Sequence, residues 1–279
     1  MHKIQMTFIF AFCCTLIFGN VGQTAEPQLL IETKTTKVSF TRDELLKRKD
    51  LETLTIKNDP SYPGKEMTYR AIKVNHLFDK INISDDAVIL FKALDGFSAP
   101  LEKKRLLNDS SNQAIAYVAI ELPGMSWPHL KSGHSSAGPF YLVWMNSELS
   151  SIGSEEWPYM LAGFKVENSL ETIFPKIFPA EGLDKNDPIY KGFRSFVKNC
   201  FACHTLNKNG TSNIGPDLNL PTNPTDYLTP SALRTLIRNP QNLRSWPKGR
   251  MSGFDQSQIP DQELEDIISY LKHMSPRKQ

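Results

Sequence analysis

Apolar residues along this chain keep two different rhythms, and the change from one to the other divides it. From Val88 to Leu94, from Ile115 to Ile120 and from Phe140 to Trp144, β-branched, aliphatic and aromatic residues run together in short blocks, which predicts strands. Asp95-Gly96 and Pro123-Gly124 supply turn signals. Ahead of them, Thr41-Arg42-Asp43-Glu44 has the spacing of a capping box and predicts a helix start. Further on the rhythm becomes helical. Ile189, Phe193, Phe196 and Val197 recur at helical intervals after Asp187-Pro188. A second helix is predicted over 231–238, ending before Asn239-Pro240. Asp261 is expected to cap a last helix whose Leu264, Ile267, Ile268 and Leu271 share one face. The pattern predicts two domains, a mixed α+β region over 30–180 and an all-α region over 187–279. The polar stretch from Glu181 to Asp187 is the expected linker.

The start of the chain does not belong to either rhythm. His2 and Lys3 precede an apolar run from Met6 to Phe18, and Gly19, Gly22 and Ala25 follow it. That layout predicts a secretory signal peptide over 1–25, and therefore an exported, periplasmic protein. The run is short for a membrane span. Gln23 stands three before Ala25, where a small residue is preferred, so a retained leader acting as an anchor stays open. Phe12 and Cys13 do not suit lipidation at this place.

Composition changes the picture little. Hydrophobic residues make up 40% and charged residues 22%, with a formal net charge of +2, so neither nucleic acid nor a membrane surface is an expected partner. Cysteine changes it more. Of four cysteines, Cys13 and Cys14 lie in the leader, which leaves Cys200 and Cys203 in Cys200-Phe201-Ala202-Cys203-His204. A structural zinc site would need a second pair of ligands nearby, and a dithiol redox site would prefer a βαβ context. Covalent haem accounts for every member: two thiols add to the vinyl groups and His204 coordinates iron. The expected cofactor is one haem c.

The sixth ligand is expected from the same region. Met251 lies in the loop before the last helix, and a thioether there would favour reduced iron. Met274 and His273 are rivals, and Trp246 and Phe254 flank Met251 where they could cover the haem edge. From 231 to 250 the chain carries Arg234, Arg238, Arg244, Lys248 and Arg250 without an acid between them. That run would offer a basic face to an acidic redox partner protein.

Residues from about 187 to 275 resemble a class I cytochrome c, the small all-α family with His/Met ligation. The resemblance rests on the Cys200–His204 motif, on Ile214-Gly215-Pro216-Asp217-Leu218, and on Gly192, Phe193 and Tyr270 at the positions of the family's close helix crossing. It implies that the Pro216 carbonyl accepts a hydrogen bond from His204 and that Met251 is the distal ligand. Ser252 follows Met251 where the family usually has proline.

Residues 35–170 resemble, over short motifs, a fragment of the sulfite-oxidase-type molybdopterin domain. Tyr69-Arg70-Ala71-Ile72, Leu94-Asp95-Gly96-Phe97 and the run from Gly138 to Trp144 carry that likeness. Active members hold molybdenum through a cysteine thiolate, and no cysteine lies between Cys14 and Cys200, so no molybdopterin chemistry is expected. His129 and His134, in a Ser/Gly loop, read as solvated rather than as metal ligands. Two functional classes remain open. One is an electron carrier whose front domain positions the haem or docks a partner. The other is a haem-containing oxidoreductase, or the cytochrome subunit of one, with a substrate site in the front domain. A redox sensor is a third.

Overall fold

The computed structural model describes residues 26–131, 133, 135–212, 214–247, 249 and 251–279. The expected leader, together with His134, Lys248 and Arg250, lies outside them.

The front region is rich in strand. In chain order it contains β1 (Gln28–Glu32), β2 (Lys37–Thr41), α1 (Arg42–Leu46), β3 (Glu52–Ile56), β4 (Met67–Lys73) and α2 (Val74–Phe78). Then come β5 (Val88–Ala93), β6 (Ser98–Leu101), α3 (Lys103–Leu106), β7 (Ile115–Ile120), β8 (Phe140–Met145), β9 (Leu161–Glu167) and α4 (Leu170–Ile173). One sheet has the order β2-β1-β9-β5-β6 and the other β3-β4-β7-β8. All pairings are antiparallel except β1 with β9. Thr41 caps α1, with the reciprocal Glu44 bond of a capping box. The apolar runs that predict strands at 88, 115 and 140 are β5, β7 and β8. β7 is buried at every residue, which is why its sequence shows no alternation.

β8 lies at the edge of its sheet, and a loop covers it. Leu142 N donates to Pro158 O at 3.2 Å, and the Trp144 indole donates to Glu156 O at 2.8 Å. An edge left open would be a template for further pairing. Below the sheet, Asp59 is 1% exposed and accepts from the hydroxyls of Tyr69 (2.6 Å) and Tyr141 (2.8 Å) and from Ser61 N (2.8 Å). Its carboxylate is fully used in tying the 57–66 loop to β4 and β8. The three motif stretches likened to a molybdopterin domain fall on β4, on the β5–β6 turn and on β8 with the two residues before it.

The rest of the chain is helical: α5 (Pro188–Asn199), α6 (Pro224–Tyr227), α7 (Pro230–Arg238), α8 (Pro240–Leu243) and α9 (Asp261–Met274). No helix among the described residues is long and apolar enough to cross a membrane. Asp187 caps α5 by accepting from Ile189 N at 2.8 Å, with Pro188 in the first turn, where its missing N–H costs nothing. α9 differs from expectation by one residue. Pro260 is the cap and Asp261 is already helical, its carboxylate drawn aside to Arg238 at 2.7 Å.

α5 and α9 cross face to face. Phe193 and Phe196 of α5 meet Tyr270 of α9, with ring centroids 5.7 and 5.2 Å apart. Gly192 permits the approach, because a Cβ there would run into the Asp266 carbonyl and stand 2.9 Å from Tyr270 Cβ. The core they enclose also takes side chains from the preceding segment. Phe174 stacks edge-on to Phe201 at 5.0 Å, Phe178 lies 4.6 Å from Phe193, and Ile177 is fully buried. Tyr270 donates to Ile177 O at 2.5 Å, and Ala180 N donates to His273 Nε2 at 3.0 Å. Residues 174–180, placed in the front region by sequence, are thus woven into the helical one.

Gly192→Ala gives a prediction whose sign separates two effects. Helix propensity alone would stabilise α5 by about 1 kcal/mol, whereas overpacking costs about 1–3 kcal/mol or more. The full chain is expected to lose stability in denaturant unfolding. A gain would show that the helices do not cross at this glycine.

Candidate haem site

The Cys200–His204 segment is a tight turn that continues α5. Cys200 N and Phe201 N both donate to Phe196 O, at 2.8 and 3.0 Å. Cys203 N and His204 N both return to Cys200 O, at 3.1 and 2.9 Å. Phe201 and Ala202 point inward and are buried at 0% and 1% exposure, while Cys200, Cys203 and His204 are half-buried. The inner pair anchors the turn and leaves the outer three available. Both cysteines are free thiols. Burial pushes the Cys200 thiol up to about 12, helped by Cys203, Glu155 and Glu263; burial and then Glu155 do the same for Cys203, also to about 12. A reactive dithiol needs the opposite shift. Among the described residues no three His, Cys, Asp or Glu side chains form a metal cluster.

His204 is fixed from the opposite strand of the loop. Its Nδ1 lies 2.8 Å from Pro216 O; the carbonyl can only accept, so Nδ1 carries the proton and Nε2 keeps its lone pair free. Burial lowers the imidazole's proton affinity, against weaker opposing effects of Pro216 and Asp217. Gly215 lies flat against the ring: a Cβ there would stand 2.5 Å from Nδ1 and 2.9 Å from Nε2. Gly215 N donates to Cys203 O at 2.8 Å and Leu218 N to Thr205 O at 2.9 Å, so the two segments are bonded together on both sides of the imidazole.

What holds that loop was not legible in advance. Asp217 accepts from Thr205 Oγ1 (2.9 Å), Asn207 N (3.2 Å), Lys208 N (2.7 Å), Asn219 N (2.8 Å) and Leu220 N (2.8 Å). Burial opposes its charge, but bonds from Lys208, Asn219, Thr205 and Leu220 outweigh it and lower its pKa. Behind it stands a ladder of three wholly buried asparagines, Asn207, Asn219 and Asn223. Asn223 Nδ2 donates to Asn219 Oδ1 (2.9 Å) and Leu271 O (3.0 Å); Asn219 Nδ2 donates to Asn207 Oδ1 (2.9 Å) and Met274 O (2.8 Å). Asn207 Nδ2 closes on Lys176 O (3.1 Å) and Arg277 O (3.0 Å). Asn207 and Lys208 in this loop adopt the left-handed region, at φ 54° and 60°.

Met251 lies in the irregular stretch between α8 and α9 and is 36% exposed. Just beyond it, Phe254 N donates to Ile237 O at 3.0 Å, pinning this stretch to the end of α7. Its rivals are already engaged: Met274 is 1% exposed in the helical core, and His273 accepts from Ala180. Trp246 is 60% exposed with the Arg244 guanidinium 5.3 Å over its ring, while Phe254 is buried at 8%.

The basic run is less basic than its sequence. Arg234 grips Glu265 through two bonds of 2.5 and 2.7 Å. Arg238 donates to Phe254 O, Asp255 O and Ile259 O and pairs with Asp261. Both charges are spent inside the domain, leaving Arg244 as the described cation of that face without an acidic partner.

Residues 189–275 match the family model for cytochrome c. This part of the chain is a cytochrome c domain. No curated protein matches the chain. The family implies covalently bound haem c, and the donor set fits it: two free thiols and an imidazole with its ligating nitrogen unengaged, on one rigid turn. The match supports a haem-binding, electron-transfer role for this domain.

Asp217 supplies a pH prediction. Its folded pKa lies below the unfolded value, near 3.9, so its stabilising effect is complete above about pH 4 and disappears as pH falls through the folded pKa. Asp217→Asn is expected to be less stable than the parent at pH 7, with the gap narrowing below pH 4. Equal stability at pH 7 by denaturant unfolding would show that Asp217 is not the clamp.

Proposed function

We propose that the protein is an exported, periplasmic cytochrome with a single haem c, thioether-bonded to Cys200 and Cys203, and that it passes electrons between partner proteins. His204 is the proximal ligand and Met251 the distal one. The observation that carries this reading is the His204–Pro216 bond, which leaves Nε2 free beside two unpaired thiols. The leader over 1–25 delivers the chain to the compartment where attachment takes place. The front domain is a sulfite-oxidase-type scaffold that works without molybdenum, because its sequence offers no cysteine thiolate as ligand. Its task is to position the haem or to dock the partner.

The haem supplies reversible one-electron exchange at its iron. The protein's residues do the rest. Pro216 holds the imidazole in one tautomer and one orientation, which keeps its donor strength constant through turnover. Asp217 and the asparagine ladder keep Pro216 in place. Bound to the iron, the Met251 thioether, softer than an imidazole, would favour the reduced state and raise the potential. Ile214 and Trp246, apolar and exposed at 44% and 60%, provide apolar cover for the haem. The partner is a redox protein. Its acidic character rests on Arg244 with Lys248 and Arg250, since Arg234 and Arg238 are internally paired.

A potentiometric titration with Met251→Ala tests the ligand set. The variant is expected to lose the weak sulfur-to-iron absorption band and to bind small iron ligands. Its reduced-to-oxidised ratio at fixed ambient potential should fall by about tenfold or more. An unchanged spectrum would contradict Met251 as the sixth ligand.

A further inference from the structure

The five-stranded sheet of the front region ends at β6, and the free edge of that strand meets the haem loop. β5 and β6 pair antiparallel, with Lys92 opposite Ser98. Ala93 N donates to Phe97 O at 2.8 Å, so the next pair along, Lys92 and Ser98, is one whose amide groups face away from each other. The Ser98 carbonyl therefore points out of the sheet edge. It needs a partner there, because Ser98 is only 8% exposed. Thr211 supplies one, donating through its hydroxyl to Ser98 O. The acceptor is held from behind: the Ser98 hydroxyl donates to Phe91 O at 2.7 Å, and β6 lies against α5.

The loop that carries Thr211 leaves the haem turn and returns to it. Gly210 closes on the turn, where a Cβ would stand 2.9 Å from Thr205 Cγ2 and 3.4 Å from Phe201 Cε2. Asp217 and the asparagine ladder hold the two ends of the loop, at 205–208 and 217–220. Over 210–214, among the described residues, the Thr211 hydroxyl makes the one hydrogen bond to another part of the chain. Next come Gly215, whose N–H goes to Cys203 O, and Pro216, whose carbonyl orients His204. We propose that Thr211 is a positioning residue for the proximal haem ligand: its bond to the edge of β6 is the means by which the front domain holds the Pro216 carbonyl on His204, and so lowers the reduction potential of the haem. This rests on the reading that His204 ligates a haem held by Cys200 and Cys203. By accepting from Nδ1–H, the carbonyl strengthens the imidazole as a donor and favours oxidised iron. A loop released from the sheet lets the carbonyl drift, the donor weakens, and the reduced state gains.

The test compares the haem-loaded full chain with Thr211→Val, Thr211→Ala and Thr211→Ser. In redox titrations Thr211→Val and Thr211→Ala should both raise the reduced-to-oxidised ratio at fixed ambient potential, by about threefold. Thr211→Ser keeps the hydroxyl and should match the parent. Hydrogen exchange on the same samples reads the loop without reference to the iron. The Gly215 and Leu218 amides, bonded to Cys203 O and Thr205 O, should exchange about fivefold faster in Thr211→Val, with the backbone amides of β7 unchanged. A Thr211→Val protein with the parent's potential overturns the proposal. So does a Thr211→Ser protein that behaves like Thr211→Val, or exchange that speeds equally in β7, since either makes Thr211 a residue of general packing. In those cases the covalent haem is still present, and only the positioning role fails. A chain that carries no covalent haem overturns the haem reading itself, and this proposal with it.

Discussion

The bond from His204 to Pro216 forms only where three conditions meet, and most of the helical region exists to meet them. The carbonyl must lie in the plane of a ring whose backbone is wound into the turn after α5. No side chain can stand between them, which requires glycine at 215. And a loop with little secondary structure must keep one shape. Asp217 provides the last by gathering backbone N–H groups that would otherwise be unpaired, and the asparagine ladder ties the same loop to the end of α9. Losing any one of these frees the imidazole to rotate, and a histidine that rotates is a poor fixed ligand.

The same physics joins the two regions of the chain. A small helical domain has little core of its own, and a bulky apolar cofactor supplies part of what is missing. Here the segment over 174–180 supplies more, lending Phe174, Ile177 and Phe178 to the aromatic cluster of α5 and α9. Thr211 in the haem loop donates to Ser98 O of β6, adding a polar tie. The front region is therefore bonded to the haem turn and its supporting loop on two sides.

Local signals carried the helices and the central strands. Asp187-Pro188 announces α5, the 3.6-residue spacing of its phenylalanines reveals its buried face, and Gly192 marks the crossing. β7 and β8 are visible as unbroken apolar runs. β1 and β9 are not, since their parallel pairing joins opposite ends of the front domain and only tertiary contact makes them strands. The cysteines and histidine of the site were legible because their chemistry is carried by adjacent residues. The ladder was not, because Asn207 meets its partners at Lys176 and Arg277, and no spacing announces such a contact. The basic run misleads for a related reason: a sequence counts charges without saying that Glu265 and Asp261 will come from another helix to neutralise two of them.

The electron-transfer reading depends on the two thiols of the turn holding a haem by covalent bonds. Intact-mass measurement, after full denaturation, of the protein produced in cells competent for haem attachment tests this most directly, since a haem held only by coordination leaves when the fold is lost. The expected mass is that of the polypeptide plus one haem, and Cys200→Ala combined with Cys203→Ala should return the bare polypeptide mass. A parent protein that shows the bare mass when made in cells competent for haem attachment would contradict the account.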